Sequence, residues 1–364
     1  MKFTIIRSQF IEGLKSVQNV VAAKGSLPIL QNVLLEANGN RLTMTTTDLD
    51  ISIKASVECE VIENGVSTLP VKLLFNSMTK AAEGPVSVEI DERESATIVA
   101  GSAKFKLAGM PESEFPRLPK DEDAYVYEME SQTLKEMLRK TAYAASQDDT
   151  RRTLKGVLVS FKDMKVTLVA TDGRRLALVE KEMEFPKDAE RDIVLPSKAV
   201  QELQRALGGE GKVKMMVQKS QVCFEIGNST IFSKLMDDAY PNYLQVIPKS
   251  CKESIVVDRQ LLLDALERAS VMTMDEAHST KLIFEDNRLT VTSAANDIGS
   301  ASDEVPIKYA GAKIEIMFNP TYMMDPLKAI DDDEVKIEIN DGHAPAVIKC
   351  SIPFLYVLMP LRIS

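Results

Sequence analysis

The residues that could do chemistry in this chain are few, and their spacing argues against most chemistries. Asp331-Asp332-Asp333-Glu334 and the pair Asp48/Asp50 are the carboxylate groupings that could hold a divalent cation. The acidic run follows a predicted helix, however, and a solvated loop accounts for it better. Asp172 sits in Thr171-Asp172-Gly173 with no histidine or lysine at a catalytic spacing, and an Asp-Gly turn is the simpler account. The only histidines are His278 and His343, which lowers the prospect of near-neutral acid-base catalysis. Cys59, Cys223, Cys251 and Cys350 form no CxxC pair, so neither a zinc site nor a disulfide framework is expected. No GxxxxGK[ST] or GxGxxG occurs. The chain is therefore expected to carry no catalytic residues, no metal and no cofactor.

Bulk properties narrow the alternatives. The 364 residues, 45% apolar and 27% charged, suit two or three globular domains. No apolar run approaches the roughly 18–20 residues of a membrane span, and MKFTIIRSQF lacks a signal-peptide core, so a cytoplasmic protein without membrane association is expected. The net charge of −10 argues against a uniformly basic nucleic-acid binder, but not against positive charge gathered on one face. A DNA-binding regulator would need a recognition helix, a zinc site or a concentrated basic domain, and none is visible.

The elements that must position any site repeat three times, at a spacing of about 125 residues. An amphipathic helix opens each copy, aligned on Ser8, Ser131 and Asp258 as N-cap candidates, with apolar residues at helical spacing: Phe10, Leu14 and Val17; Leu134 and Leu138; Leu262 and Leu266. An alternating strand, read as half-buried, follows at Arg41–Thr45, Lys165–Val169 and Arg288–Thr292. A strand-to-helix corner comes next, at Leu69-Pro70-Val71-Lys72, Leu195-Pro196-Ser197-Lys198 and Phe318-Asn319-Pro320-Thr321, with proline suited to a first helical turn. Strands and proline-containing exits close each copy. The chain thus reads as three copies of one α+β unit, with domains at 1–121, 122–250 and 251–364, and such a triplication is suited to building part of a ring.

At these residues the chain resembles the bacterial DNA sliding clamps, the beta subunit of the DNA polymerase III holoenzyme. Met1-Lys2-Phe3-Thr4, Leu27-Pro28-Ile29-Leu30, Ala170-Thr171-Asp172-Gly173-Arg174-Arg175-Leu176-Ala177 and the closing Tyr356-Val357-Leu358-Met359-Pro360-Leu361-Arg362 carry the resemblance, in order and over the whole length. It implies three domains, each with two helices packed on antiparallel sheets, and two chains joined head to tail into a closed ring around duplex DNA. It implies a non-catalytic processivity factor whose partners are DNA, the polymerase III catalytic subunit, the clamp loader and other proteins bearing a clamp-binding peptide.

Site residues follow from the polar faces of the repeat helices, which carry the phosphate-contact candidates other than Lys24 and Arg152, and otherwise from the same resemblance. Phosphate contacts are expected from Lys24, Lys72, Arg139, Arg152 and Lys198, with Lys15, Lys80, Lys135, Lys140 and Arg205 on the same polar helix faces. Arg152 stands where some members carry tyrosine. Ordinary solvated faces remain the alternative, least so for Lys24, Arg152 and Lys198. A peptide groove is expected from Leu154, Thr171, Gly173, Arg174, Arg175, Leu176, Pro241, Val246, Val347, Leu358, Met359, Pro360, Leu361 and Arg362, with arginines at its edge. Arg174 replaces a frequent histidine, and Ile363 and Ser364 extend past the terminal arginine. The interface between chains is expected at Lys104, Phe105 and Leu107 against Val271 and Met272, with Asp303 and Glu304 as candidate partners of the lysines; intradomain core is the alternative for Phe105.

Overall fold

The computed structural model describes residues 1–21, 27–118, 124–272, 279–295, 299–351 and 353–361. Six α-helices lie among them: α1 (Arg7–Val17), α2 (Val71–Lys80), α3 (Ser131–Thr141), α4 (Ser197–Ala206), α5 (Arg259–Ser270) and α6 (Pro320–Ala329). The strands form four sheets, and every pairing is antiparallel. The expected α+β class, with two helices per repeat on antiparallel sheets, is what the chain adopts.

Each helix buries the face its apolar spacing defines. Phe10, Leu14 and Val17 of α1 are fully buried, as are Leu262 and Met323 of α5 and α6. The alignment of the three helix starts needs correcting by one residue in the first and third copies. The strands leading in pair as Ile6↔Pro85, Glu130↔Lys212 and Asp258↔Glu334, which makes Arg7, Ser131 and Arg259 equivalent. Their amides donate alike, to the carbonyls of Gly84, Gly211 and Asp333. Of the three cap candidates only Asp258 caps, accepting from the Leu261 amide at 2.8 Å. Ser8 lies inside the first turn of α1, and the Ser131 hydroxyl is buried with no partner among the described residues.

Arg7 and Arg259 share a task. Arg7 donates to the carbonyls of Met78 and Thr79, and Arg259 to those of Leu327 and Asp332. Arg7 thereby satisfies two carbonyls in the last turn of α2, and Arg259 one in the last turn of α6 and one in the segment after it, where a cation also meets the negative end of the helix dipole.

Sheet continuity divides the chain differently from the repeat. One eight-stranded sheet joins strands of the middle copy, from Tyr125–Glu130 to Ser229–Lys234, to strands of the first through the pairing of Ser229–Lys234 with Ile51–Glu58. The other joins Arg175–Glu182 of the middle copy to Phe354–Leu358 of the third. The compact units are accordingly Met1–Lys135 with Lys198–Leu235, and Glu136–Ser197 with Met236–Ser364. A five-stranded sheet completes the first unit and a four-stranded sheet the second.

The alternating strands differ in burial. Arg288–Ala294 alternates as expected, but Lys165–Thr171 is buried at six consecutive positions. Its outer face is covered: Leu158, Val169, Leu176, Leu178, Val194 and Val357 form one apolar cluster with Met236, Tyr240, Tyr243 and Ile247 packed on it. A strand covered on both faces loses the polar alternation that a half-solvated strand needs.

Candidate functional site

The second unit holds every described residue expected in the groove, on both faces of its eight-stranded sheet. Cross-strand partners share a face, and Thr171↔Leu176, Leu176↔Val357 and Val347↔Val357 put Thr171, Leu176 and Val347 on the face bearing the apolar cluster. All three are buried. Pro241, Val246 and Met359 are exposed, and Leu154, Pro360 and Leu361 are half-buried. The closing segment is pinned by its backbone, Met359 N–H to the Arg174 carbonyl at 2.9 Å and Leu361 N–H to that of Met317 at 2.8 Å. Arg362 lies outside the described residues.

Arg175 and Leu358 pair with each other and so occupy the opposite, helix-facing side. Arg175 is expected at the groove's edge, but only 9% of its side chain is exposed. Its guanidinium bonds Asp172 at 3.1 Å, the Tyr143 carbonyl at 2.6 Å and the Asp325 carboxylate, and stacks 4.1 Å from the Tyr322 ring centroid. Such an arginine is committed to the fold, whereas Arg174 beside it is exposed. Burial pushes the Tyr143 and Tyr356 phenols well up from their usual pKa, so both stay protonated around this cation.

The turn that presents these residues is built by its own side chains. Asp172 accepts the amides of Arg174 and Arg175 at 2.8 and 3.0 Å, the Thr171 hydroxyl donates to the Arg175 carbonyl, and Gly173 takes φ +85°. The Asp-Gly turn expected at this point is what forms. A recess of about 310 Å³ opens beside it, lined by Gln147, Asp148, Arg151, Asp172, Arg174 and Tyr322 among others. Arg151 and Tyr322 were not foreseen from sequence. Arg151 bonds the Asp172 carbonyl at 2.8 Å, and Tyr322 comes from a helix distant in sequence, with no local signal to mark it.

The candidate phosphate contacts are of two kinds. Lys72 and Arg152 are exposed and form no ion pair with another described residue. Lys198 and Arg139 have carboxylates already: Lys198 pairs with Asp48 and donates to the Val20 carbonyl at 3.2 Å, and Arg139 pairs with Asp331. The Arg139 hydrogen bond holds the Asp331 carboxyl below the usual range. Lys24 lies outside the described residues.

Lys104, Phe105 and Leu107 sit on a sheet edge that is free among the described residues, and Val271 and Met272 follow the end of α5. Ala103–Ala108 ends the five-stranded sheet, with Phe105 and Leu107 half-buried and Lys104 and Lys106 exposed, as the alternation required. Gly299–Pro306 ends the four-stranded sheet. Val271, at the end of α5, is 64% exposed, and Met272 Sδ lies 3.7 Å from where a Cβ on Gly299 would stand. Asp303 and Glu304 already pair within the chain, with Arg268 and Arg288.

The acidic groupings are used structurally. Asp332 accepts from Ser351, Asp331 pairs with Arg139, and no cluster of three or more His, Cys, Asp or Glu side chains among the described residues could hold a metal.

Three family models match in succession: the N-terminal domain of the DNA polymerase III beta subunit over residues 1–119, its central domain over 128–242 and its C-terminal domain over 244–362. The chain belongs to the DNA polymerase III beta subunit family, the bacterial sliding clamps. The beta sliding clamp of Chlamydia muridarum is 32% identical over 363 residues, covering 100% of this chain and 99% of that one. Among solved structures, the sliding clamp from Bartonella birtlesii bound to griselimycin superposes with a TM-score of 0.96 at 33% identity, and that from Bacillus subtilis with 0.95 at 26%, each covering both chains fully. As a sliding clamp the chain is a replication processivity factor, and the family is non-catalytic. No helix among the described residues is long and apolar enough to cross a membrane.

Proposed function

We propose that two copies of this chain, each of three domains (1–121, 122–250 and 251–364), close head to tail into a ring around duplex DNA in the cytoplasm. One observation carries the proposal: the two sheet junctions inside the chain share one register. In the first, Ser229, Ile231 and Ser233 face Ala55, Ile53 and Ile51; in the second, the equivalent Phe354, Tyr356 and Leu358 face Val179, Ala177 and Arg175. The third member of each strand set is left on an edge, Ala103–Ala108 and Gly299–Pro306. Carrying the register over sets Ala103 opposite Asp303, Phe105 opposite Ala301 and Leu107 opposite Gly299, large side chains against small ones. Two edges unpaired among the described residues of one chain, complementary in this way, favour a heterologous interface that closes on itself.

Closure separates holding from gripping. Lys24, Lys72, Arg139, Arg152 and Lys198 need only touch phosphates weakly, because escape requires an interface to open. Clamp-binding peptides of the polymerase III catalytic subunit, the clamp loader and other clients would dock at the Thr171–Leu176 turn and the Leu358–Arg362 segment, with Leu154, Pro241, Val246 and Val347 as further contacts. Exposed Val246, next in sequence to Ile247 of the apolar cluster, and exposed Met359, next to Leu358, support that placement. The test is retention on nicked circular DNA after loader-dependent loading. Release on linearisation is the expected result, and equal retention on both forms would overturn the ring.

A further inference from the structure

Two cations assigned to DNA carry their own carboxylates. Asp48 is fixed for this purpose: its Oδ1 accepts the amides of Asp50 and Ile51 at 3.0 and 2.8 Å, and its Oδ2 takes Lys198. Rotating the carboxylate away from the lysine would break both turn hydrogen bonds. The equivalent acid of the middle repeat, Asp172, sits in the same turn but gives its second oxygen to Arg175, which is hidden from solvent. Lys198 is 43% exposed and Arg139 39%, so a competing anion can reach either one. Ion pairs this exposed are weak in water, which makes exchange of carboxylate for phosphate easy.

We infer that Asp48 and Asp331 are tethered counter-anions: each occupies a DNA-facing cation between phosphate contacts and yields it when a phosphate arrives. This rests on the proposal that Lys198 and Arg139 face DNA. A free lysine that binds a phosphate releases a condensed counterion, and each such contact steepens the dependence of log affinity on log salt by about 0.9. At Lys198 the arriving phosphate sets Asp48 free, and that carboxylate draws a cation from solution and offsets the release. Lys198 and Arg139 therefore guide the duplex while adding little grip, whereas Lys72 and Arg152 keep their full electrostatic effect. The asymmetry lowers friction without removing the positive lining.

The experiment is binding of the full chain to fluorescent linear duplex, by anisotropy, across a salt series. Asp48→Asn keeps the turn's acceptor, and Asp331→Asn alters a side chain that is 69% exposed, so the second variant stands if the first disturbs folding. Each should steepen the salt slope by up to about 0.9 and tighten low-salt binding several-fold. Lys198→Ala should flatten the slope in the Asp48→Asn background and barely change it in the unaltered protein. That coupling separates tethering from a general change in net charge. Unchanged slopes in both aspartate variants, with Lys72→Ala or Arg152→Ala still flattening the slope, would overturn the counter-anion inference and leave DNA contact intact. If no cation substitution changes the slope in either background, the DNA-facing assignment falls and takes the inference with it.

Discussion

The two sheet junctions inside the chain use one backbone solution and opposite fillings. Where Ser229–Lys234 meets Ile51–Glu58, Ile231 faces Ile53, and a recess of about 390 Å³ remains, with Ile53, Ile226, Ile231 and Ala206 among its lining residues and buried Glu202 at its side. Where Phe354–Leu358 meets Arg175–Glu182, Tyr356 faces Ala177, and Tyr143, Tyr322, Arg175 and Asp325 fill the equivalent helix-side space. The turns beside the junctions match bond for bond. Thr47 and Thr171 donate to the carbonyls of Ile51 and Arg175, and the left-handed position is Leu49 at φ +79° in one and Gly173 at +85° in the other. Backbone register is therefore what repetition preserved. The side chains diverged, towards an isoleucine pair beside an open recess that Lys15, Glu202 and Arg205 also line in the first unit, and a filled polar network in the second.

That contrast predicts unequal sensitivity. Arg175→Met should cost about 3–5 kcal/mol in chemical denaturation, because Asp172 and Asp325 lose the cation they share. A loss below about 1 kcal/mol would mean that the network contributes little. Tyr356→Phe comes next, at about 1–3 kcal/mol. Its hydroxyl donates at 2.6 Å to the Tyr322 carbonyl, one that Pro326 within α6 cannot serve because proline has no N–H. Thermal melts would show the same ordering.

The turns should respond in opposite directions. Gly173→Ala forces a Cβ into a left-handed position with Arg151 Nη1 only 2.7 Å away, and should destabilise by about 1–3 kcal/mol. Leu49→Gly relieves the same conformation at an exposed side chain and should stabilise by about 0.5–1 kcal/mol. The smallest effect is at the recess of the first unit. Burial raises the Glu202 pKa above its unfolded value, so the folded protein gains stability as pH falls through that native pKa and loses it as pH rises through it. Glu202→Gln should flatten this part of a pH–stability profile and leave neutral-pH stability within about 1 kcal/mol of the original. An unaltered profile would mean that the carboxylate is effectively solvated.

The sequence made the repeats legible because each copy keeps a 3.6-residue helix and a period-two strand at fixed offsets. Phe10, Leu134 and Leu262 announce their buried faces without help from the rest of the chain. The helix starts were misaligned because Ser8 looks like a cap, whereas strand pairing, which is non-local, makes Arg7 the equivalent of Arg259. The candidate groove was legible, through the family resemblance, as scattered positions but not as a surface. Only cross-strand registers reveal that Arg175 and Leu358 face away from Thr171 and Leu176. Tyr322 and Asp325 were beyond reach, since nothing near them in sequence specifies the arginine they meet.

Continuous sheets also set an order of events at the ribosome. Ile51–Glu58 pairs early with Arg41–Thr47 but gains its second partner only when Ser229–Lys234 emerges, and the second edge of Arg175–Glu182 must wait for Phe354–Leu358. At about 5–20 residues per second each wait is on the order of ten seconds or more, far longer than a hairpin takes to form. For that interval the nascent chain exposes an apolar, hydrogen-bond-hungry edge. A truncation that ends a copy at its repeat boundary would make that exposure permanent.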